Sequence, residues 1–373
     1  MTQTVLVTGG AGFIGSHLVD ALVARGDRVR ILDNLHPQAH PSGKPDNVHP
    51  EAELLLGDVR DRPTVERALE GVELVFHQAG LVGNGQSMYE LRQYMDVNAV
   101  GTATLLEAIL ARRAQIQRLV VASSMVVYGD GAYACPEHGA LPGALRLEER
   151  LRARRWEPIC PRCRNEVVPI ATNESHPLAP NSVYGVSKRD QEELCLVVGR
   201  AYEVPTVALR YLNTYGSRQV LGNPYTGVAA IVATRVLNGQ SPIVFEDGEQ
   251  LRDFTHVSDV VQANLAAAAA DSRAWYRAFN VGTGRSTRIV DVVRAVTRAL
   301  GSELEPRITG EFRKGDIRHC FADVAAARDL LGFEARVSFD EGAAELGRWA
   351  SSQSPQDPTD AAHDELRRRA LLG

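Results

Sequence analysis

The strongest constraint on this chain is an apolar strand that runs directly into a glycine-rich turn and then into a helical pattern. The stretch covers residues 5–18 and contains Gly9, Gly12 and Gly15. Glycines at this spacing let the backbone turn tightly, approach a pyrophosphate without a Cβ in the way and pack the next helix closely on a sheet. The amino end of that helix offers unpaired N–H groups to phosphates. This order of elements predicts a dinucleotide-binding crossover.

A second predicted strand covers residues 28–32, and Asp33 and Asn34 follow at its carboxyl end. A carboxylate about 20 residues after the glycines accepts hydrogen bonds from the adenosine ribose diol and repels a 2′-phosphate. Asp33 therefore favours NAD over NADP. The alternative, a glycine-rich turn that binds nothing, requires the strand, the spacing and the carboxylate to coincide by chance.

Charge and hydropathy exclude several other classes of protein. The 373 residues are 44% apolar and carry a net charge of −5 with basic and acidic residues intermixed, so we expect a soluble protein that does not bind nucleic acid. No apolar run reaches the roughly 18 residues of a membrane span, and no secretory leader is evident. The five cysteines are an odd number, unlike a secreted disulfide framework. We expect a cytoplasmic protein without membrane partners.

Further along the chain, a hydroxyl pair and a tyrosine–lysine pair indicate chemistry. Ser123 and Ser124 end a predicted strand, and Tyr184 and Lys188 lie in a predicted helix. Residues four apart share one helical face, so the ammonium can stand near the phenol and lower its pKa. If Tyr184 and Lys188 were the only such signal, the favoured interpretation would be two exposed helix residues without a catalytic role.

Together these features resemble the extended short-chain dehydrogenase/reductases of the nucleotide-sugar epimerase and dehydratase type. The resemblance covers about residues 3–345 and rests on five motifs in order: residues 8–15, 57–61, 77–80, Ser123-Ser124 with 127–129, and 184–188. It implies an α/β fold with a Rossmann-type, doubly wound parallel sheet of about seven strands and a smaller C-terminal substrate-binding lobe.

The resemblance also implies site residues. The catalytic residues would be Ser124, Tyr184 and Lys188, with Ser123 as a weaker candidate for the hydroxyl. The NAD-binding residues would be Gly9, Gly12, Phe13, Ile14, Gly15, Asp33, Asn34, Asp58, Val59, Ala79, Gly80, Asn98, Tyr184 and Lys188. The substrate-binding residues would be Ser124, Asn213, Arg252, Arg313 and Asp316.

Arginines in the second half of the chain suit a diphosphate, because each guanidinium offers a planar fork of donors. Arg252, Arg313 and Arg318 are the candidates, and Asp316 would bind the nucleotide ribose. Surface salt bridges are the alternative for Arg313 and Arg318.

These assignments divide the chain into regions. Residues 1–212 would form the NAD-binding domain with an insertion at 130–175, residues 213–350 mainly the substrate lobe with segments returning to the first domain, and residues 351–373 a frayed polar tail with a short helix.

The insertion contains two close pairs of possible metal ligands. Cys135 and His138 form one pair, and Cys160 and Cys163 form the other. Three thiolates and an imidazole at such spacing suit a structural zinc ion, and a proline-rich loop of this length would otherwise order poorly. The alternative is a lid with reduced, unligated cysteines. The insertion, with residues 85–90 and 223–231, is similar to that of bacterial dTDP-L-rhamnose 4-epimerase-like proteins.

The resemblance implies an NAD-dependent C4 epimerase that acts on a dTDP- or UDP-hexose through a transient ketone. A 4,6-dehydratase would need an acid just after the catalytic hydroxyl, where this chain has Met125, Val126 and Val127. A decarboxylase or a ketoreductase would keep the same triad, although Asp33 opposes an NADPH-using reductase. A non-catalytic NAD-binding scaffold is disfavoured by the presence of both Tyr184 and Lys188. The resemblance also implies a homodimer.

Overall fold

The computed structural model describes residues 2–41, 43 and 45–373. The strands are β1 Thr4–Thr8, β2 Arg28–Asp33, β3 Glu53–Leu56, β4 Leu74–His77, β5 Arg118–Ser124, β6 Tyr133–Cys135, β7 Gly139–Leu141, β8 Val168–Pro169, β9 Thr206–Tyr211, β10 Asn213–Tyr215, β11 Ile243–Val244, β12 Leu251–Arg252, β13 Phe254–His256, β14 Arg277–Val281, β15 Thr287–Arg288, β16 Arg307–Ile308 and β17 His319–Cys320. The helices are α1 Phe13–Ala24, α2 Arg62–Ala68, α3 Asn84–Ser87, α4 Leu91–Tyr94, α5 Gly101–Leu110, α6 Glu148–Arg152, α7 Val183–Ala201, α8 Val228–Leu237, α9 Val257–Ala269, α10 Ile289–Ala299, α11 Ala325–Leu331, α12 Phe339–Ala350 and α13 Thr359–Arg368.

The predicted doubly wound sheet is confirmed. Seven parallel strands pair in the order β14, β9, β5, β4, β1, β2, β3. The chain order reverses beside β1, which pairs with both β2 and β4, and such a reversal opens a crevice at the carboxyl ends of the strands. The glycine-rich turn follows β1 directly, so it lies at that crevice.

Helices cover both faces of the sheet because its strands are apolar on both sides. On one face, α1 and α9 bury residues such as Leu18, Leu22 and Val260 against the strands. On the other, α2, α5 and α7 bury residues such as Val65, Leu105 and Cys195. No helix in the described part of the chain is both long enough and apolar enough to cross a membrane.

Two smaller regions flank the carboxyl ends of the strands. The insertion forms a short antiparallel sheet in the order β7, β6, β8, with α6 beside it. After β10, helices α8, α10 and α12 share a separate apolar core that includes Val232, Val293 and Leu346. Strand β14 returns from this region to the edge of the central sheet.

The last residues differ from the frayed tail expected from their polar composition. The predicted short helix is present as α13, but Leu366 and His363 on it are buried at 6% and 9% exposure. After the helix, Gly373 exchanges two backbone hydrogen bonds of 2.9 Å with Phe312. The segment is thus packed and paired, which composition alone does not reveal.

A buried ion pair ties the long helix α7 to the centre of the sheet. The Arg210 guanidinium on β9 donates to both carboxylate oxygens of Glu192 on α7, at 2.9 and 2.6 Å. Ser123 on β5 donates to the same carboxylate at 2.5 Å, and Tyr128 accepts from Arg210 at 2.8 Å. The network fixes α7 relative to β5 and β9.

We expect Arg210→Met to lower the free energy of unfolding by about 3 to 5 kcal/mol, because Glu192 would remain charged and buried without its partner. Arg189→Met is the matched control, since Arg189 forms an exposed ion pair with Glu193 on the same helix and should cost less than about 1 kcal/mol. Urea unfolding followed by circular dichroism measures both. Equal losses in the two variants would contradict the role of the buried pair.

Candidate functional site

The glycine-rich turn brings its backbone close to neighbouring chain. Gly9 has φ +69°, and a Cβ there would lie 2.8 Å from the backbone of Ala79. A Cβ on Gly15 would lie 2.2 Å from the carbonyl oxygen of Gly9. Only glycine fits at these positions without a shift of the backbone. The turn lines a cavity of about 550 Å³.

Asp33 lies at the carboxyl end of β2, facing the turn. Its Oδ2 accepts a 3.1 Å hydrogen bond from the backbone N–H of Ala11, and its Oδ1 accepts one of 2.9 Å from Leu35. The carboxylate is therefore held in place at the cavity wall. This is the position that the sequence predicts for a group that binds a ribose diol.

Asn34 and Asp58 lie together next to Asp33. The amide of Asn34 donates to Asp58 at 2.9 Å, and the Arg60 guanidinium donates to both oxygens of that carboxylate at 2.8 Å. The hydrogen bonds from Arg60 lower the pKa of Asp58 to about 2, so it is ionised at neutral pH. Both residues line the cavity.

Of the residues assigned to the cofactor from sequence, the structure brings all but one to the cavity wall. Those at the wall are Gly9, Gly12, Phe13, Ile14, Gly15, Asp33, Asn34, Asp58, Val59, Ala79, Gly80, Tyr184 and Lys188. Asn98 is fully buried behind it, in a π-helical turn at Met95–Val100. Its side chain bonds both backbone groups of Leu81, at 2.7 and 3.1 Å, and donates to Ser187 at 2.9 Å. Asn98 thus acts on the cavity through the backbone that it fixes.

Ser124, Tyr184 and Lys188 line the same cavity as the glycine-rich turn. Ser124 ends β5, and α7 begins at Val183 with Ser182 as its N-cap, whose hydroxyl accepts from Gly185 N at 3.0 Å. Burial raises the pKa of the Tyr184 phenol to about 12, and its hydrogen bond with Ser124 opposes that rise. Ser123, the alternative hydroxyl, is already committed to Glu192.

Lys188 makes its hydrogen bonds with groups other than the Tyr184 phenol. The two residues do share one face of α7, but the Lys188 ammonium donates to Ala122 O and, at 2.5 Å, to Gln191 Oε1. Burial also lowers the pKa of Lys188 to about 8. Gln191 in turn contacts the ring of His77 at 2.8 Å, and burial with the nearby ammonium lowers the pKa of His77 to about 3.

The substrate-binding residues predicted from sequence, Asn213, Arg252, Arg313 and Asp316, also reach the cavity wall. Asn213 Oδ1 is buried and has no hydrogen-bond partner among the residues that the structure describes. Arg313 forms a two-pronged pair with Asp316 Oδ2 at 3.0 and 2.8 Å and lies 4.7 Å over the ring of Phe245. Arg252 is more constrained, because its terminal nitrogens donate to the carbonyls of Leu251, Ile317 and Arg318.

Arg318 is neither a surface residue nor a cavity residue. It is 1% exposed and pairs with Glu157, Glu246 and Asp247 at 2.6 to 3.0 Å. Its partners lie far away in sequence, so the motif 313–318 gave no sign of this network. Glu157 belongs to the insertion and also contacts His319 at 2.9 Å. The network anchors the insertion to the segment that follows Asp316.

The four predicted metal ligands converge within the insertion. The ligand atoms of Cys135, His138, Cys160 and Cys163 all lie within 4.8 Å of one another. Both Cys135 Sγ and Cys160 Sγ lie 3.5 Å from His138 Nδ1, and Cys135 Sγ lies 3.6 Å from Cys163 Sγ.

Sequence reasoning missed one wall of the cavity. It is formed by Phe245 and Tyr225 with residues of α13, and no local pattern links these segments. The amphipathic spacing of residues 359, 362, 363 and 366 was the available signal for α13 as a packed helix.

Comparison with known proteins fits this geometry. The sequence model of the NAD dependent epimerase/dehydratase family matches residues 5–145 and 163–282. A dTDP-L-rhamnose 4-epimerase of Burkholderia thailandensis is 34% identical over 94% of this chain and 96% of its own length.

Two solved structures are similar to this chain in fold and in sequence. A UDP-glucose 4-epimerase of Thermotoga maritima, determined with UDP-glucose, is 30% identical with a TM-score of 0.75, over 93% of this chain and 98% of that one. A UDP-glucose 4-epimerase of Thermus thermophilus, determined with NAD, is 30% identical with a TM-score of 0.74, over 94% of this chain and 100% of that one. The predicted fold, enzyme class and family are confirmed: this chain belongs to the NAD-dependent epimerase/dehydratase family, among its nucleotide-sugar epimerases.

Proposed function

We propose that this protein inverts C4 of a nucleoside-diphosphate sugar through a transient 4-keto intermediate, with NAD as a cofactor that is regenerated in every cycle. The observation that carries the proposal is the convergence of Ser124, Tyr184 and Lys188 in the same cavity as the glycine-rich turn. A dTDP-hexose such as dTDP-L-rhamnose is the favoured substrate, because a relative at 34% identity bears that name. A UDP-hexose is the alternative.

NAD fits the residues present. A Cβ on Gly12 would meet only Gly9 O, at 3.3 Å, so this glycine leaves the cavity side of the turn open to a pyrophosphate. Asp33 and Asp58 line the same cavity and suit the recognition of a ribose diol and an adenine. Bound there, NAD would supply the hydride acceptor and a positive charge near the phenol.

In this mechanism Tyr184 Oη takes the proton from the C4 hydroxyl, and Ser124 Oγ donates a hydrogen bond to the same oxygen. Because burial raises the pKa of Tyr184 to about 12, the phenolate needs positive charge nearby. Lys188, with its pKa at about 8, is still charged at neutral pH. The buried site excludes water from the ketone. C4 would lose its hydride to NAD, held by the glycine-rich turn and Asp33, and regain it on the opposite face of the ketone. Tyr184 Oη then gives the proton back to the C4 oxygen.

The residues after Ser124 argue against dehydration. Met125 and Val126 line the cavity there and carry no group that can protonate a leaving hydroxide. The same absence weighs against a decarboxylase, and Asp33 weighs against an NADPH-using ketoreductase.

We also propose that Cys135, His138, Cys160 and Cys163 hold a structural zinc ion. Tetrahedral zinc with Zn–S of about 2.3 Å and Zn–N of about 2.0 Å places neighbouring ligand atoms about 3.5 to 3.8 Å apart, close to the distances among these side chains. Each ligand pair sits on a similar turn, since the residues after His138 and Cys163, Gly139 and Arg164, both have φ +66°.

A second feature of the turn supports thiolate ligation. The backbone N–H of Arg162 donates to Cys160 Sγ at 3.4 Å, and such bonds orient a ligand and offset its charge. Besides the cysteines, the small apolar core around these residues buries Tyr133, Leu141 and Val167, and Ala144 packs against it. A metal would supply the stability that so small a core lacks.

For the assembly we propose a homodimer built on the adjacent segments 91–110 and 183–201. Large apolar side chains on them are exposed, with Leu91 at 50%, Val100 at 52% and Val197 at 66%. A second copy would bury them.

Tyr184→Phe should reduce turnover by about 10²- to 10⁴-fold, because it removes the group that accepts the proton. Affinity for a nucleoside diphosphate should stay unchanged. The matched control is Tyr202→Phe, at the exposed end of the same helix. Epimer formation measured by proton NMR decides, and full activity in Tyr184→Phe would refute the assignment.

Purified protein should contain about one zinc per chain, and the double variant Cys160→Ser/Cys163→Ser should lose it. Cys195→Ala, which removes a buried thiol outside the cluster, should retain the metal. Elemental analysis by mass spectrometry measures the content. Zinc absent from the wild type, or retained by the double variant, would disprove the site.

Val100→Asp/Val197→Asp should convert the dimer to a monomer, since two charges would be buried at the interface. Ile308→Asp, at a residue 50% exposed elsewhere, should not. Sedimentation velocity distinguishes the two states. A monomeric wild type, or a double variant that remains dimeric, would rule out this interface.

A further inference from the structure

We infer that the C-terminal segment, residues 355–373, forms a wall of the nucleotide-sugar site and helps to select the nucleoside. This inference rests on the proposed function, because it concerns the part of the same substrate that is farthest from the reacting carbon.

The beginning of the segment is fixed to α8. The Arg235 guanidinium, almost fully buried, lies 3.3 Å from Asp357 and 3.0 Å from Asp360. The Asn238 amide donates to Pro355 O at 3.0 Å. A Cβ on Gly222 would lie 2.9 Å from Gln356 O, so the chain runs close against its neighbour. These contacts set where α13 begins.

The end of the segment is paired with the loop that carries Arg313. Gly373 and Phe312 exchange two backbone hydrogen bonds of 2.9 Å, and Lys314 N donates to Leu371 O at 2.9 Å. The pairing therefore continues on both sides of Arg313. Between these two ends, His363 Nε2 lies 3.0 Å from Glu311 Oε2.

One face of α13 is turned to the cavity. Thr359, Ala362, His363 and Leu366 follow the spacing of a single helical face, and all four line the same cavity as Tyr184. The His363 ring lies 5.6 Å from the ring of Phe245. Ala361, in contrast, is exposed on the other side of the helix.

The contacts around Arg313 favour this wall as the place of the nucleoside. The reacting sugar carbon must lie at Tyr184, and the Arg313 guanidinium suits the diphosphate. The nucleoside is the next part of the ligand, and Arg313 lies 4.7 Å over the ring of Phe245, which in turn lies 5.6 Å from the ring of His363 on α13. Aromatic rings and an imidazole offer flat apolar surface with a polar edge, which suits a nucleobase.

The test is a matched pair of substitutions on α13. Ala362→Leu adds bulk on the cavity side, and Ala361→Leu adds the same bulk on the solvent side, with the same effect on helix propensity. Isothermal titration with dTDP, UDP, GDP and CDP measures the affinity of each protein, and bound NAD is measured separately. Ala362→Leu should weaken the binding of the preferred nucleoside diphosphate about tenfold or more, that is, by at least about 1.4 kcal/mol, because the added bulk overpacks the cavity wall. Ala361→Leu should bind as the wild type does, and NAD content should not change.

Each other result has a distinct meaning. Wild-type affinity in both variants would show that α13 does not touch the nucleoside, and equal weakening in both would show an effect of helix packing alone; either overturns the inference and leaves the proposed function intact. If the wild type binds none of the four nucleoside diphosphates, the proposed function fails, and this inference fails with it.

Discussion

The close approach of backbone to backbone at the end of β1 is the constraint on which the rest of this site depends. Gly15 stands where a Cβ would come within 2.2 Å of a carbonyl oxygen, and Gly9 packs against the chain at Ala79. Because side chains are excluded there, α1 can begin directly beside the sheet and leave its amino end open toward the crevice. The second, third and fourth strands then bring Asp33, Asp58 and Gly80 to the same crevice.

The part of the cavity assigned to the substrate is held in place by contacts between segments that are distant in sequence. The segment 311–319 carries Arg313 and Asp316, and it is held between two peripheral parts of the chain. From the insertion, Leu151 and Trp156 pack on Phe312, and Glu157 binds Arg318 and His319. From the other side, the C-terminal segment pairs with residues 312 and 314. The family sequence match is interrupted between residues 145 and 163, within the insertion, so this support lies partly outside the family's shared core.

Local patterns in the sequence predicted the parts of the structure that depend on neighbours in the chain. The glycine spacing, the position of Asp33 after β2 and the four-residue step from Tyr184 to Lys188 were of this kind. The sequence could not predict interactions between distant segments. Arg318 looked like a surface or phosphate-binding residue because its partners, Glu157 and Glu246, come from separate loops. Residues 351–373 looked like a frayed tail because polar composition does not reveal that residues 371 and 373 pair with 312–314.

The central claim is that hydride leaves C4 and returns to C4 within one closed site. The most direct measurement uses dTDP-L-rhamnose and UDP-glucose deuterated at C4, incubated with the enzyme and no added cofactor, with the products followed by NMR and NADH by absorbance. The account predicts a C4 epimer that keeps its deuterium at C4, without accumulation of NADH. A C4 epimer that has exchanged its deuterium with solvent, or a 4-keto-6-deoxy product, would contradict it.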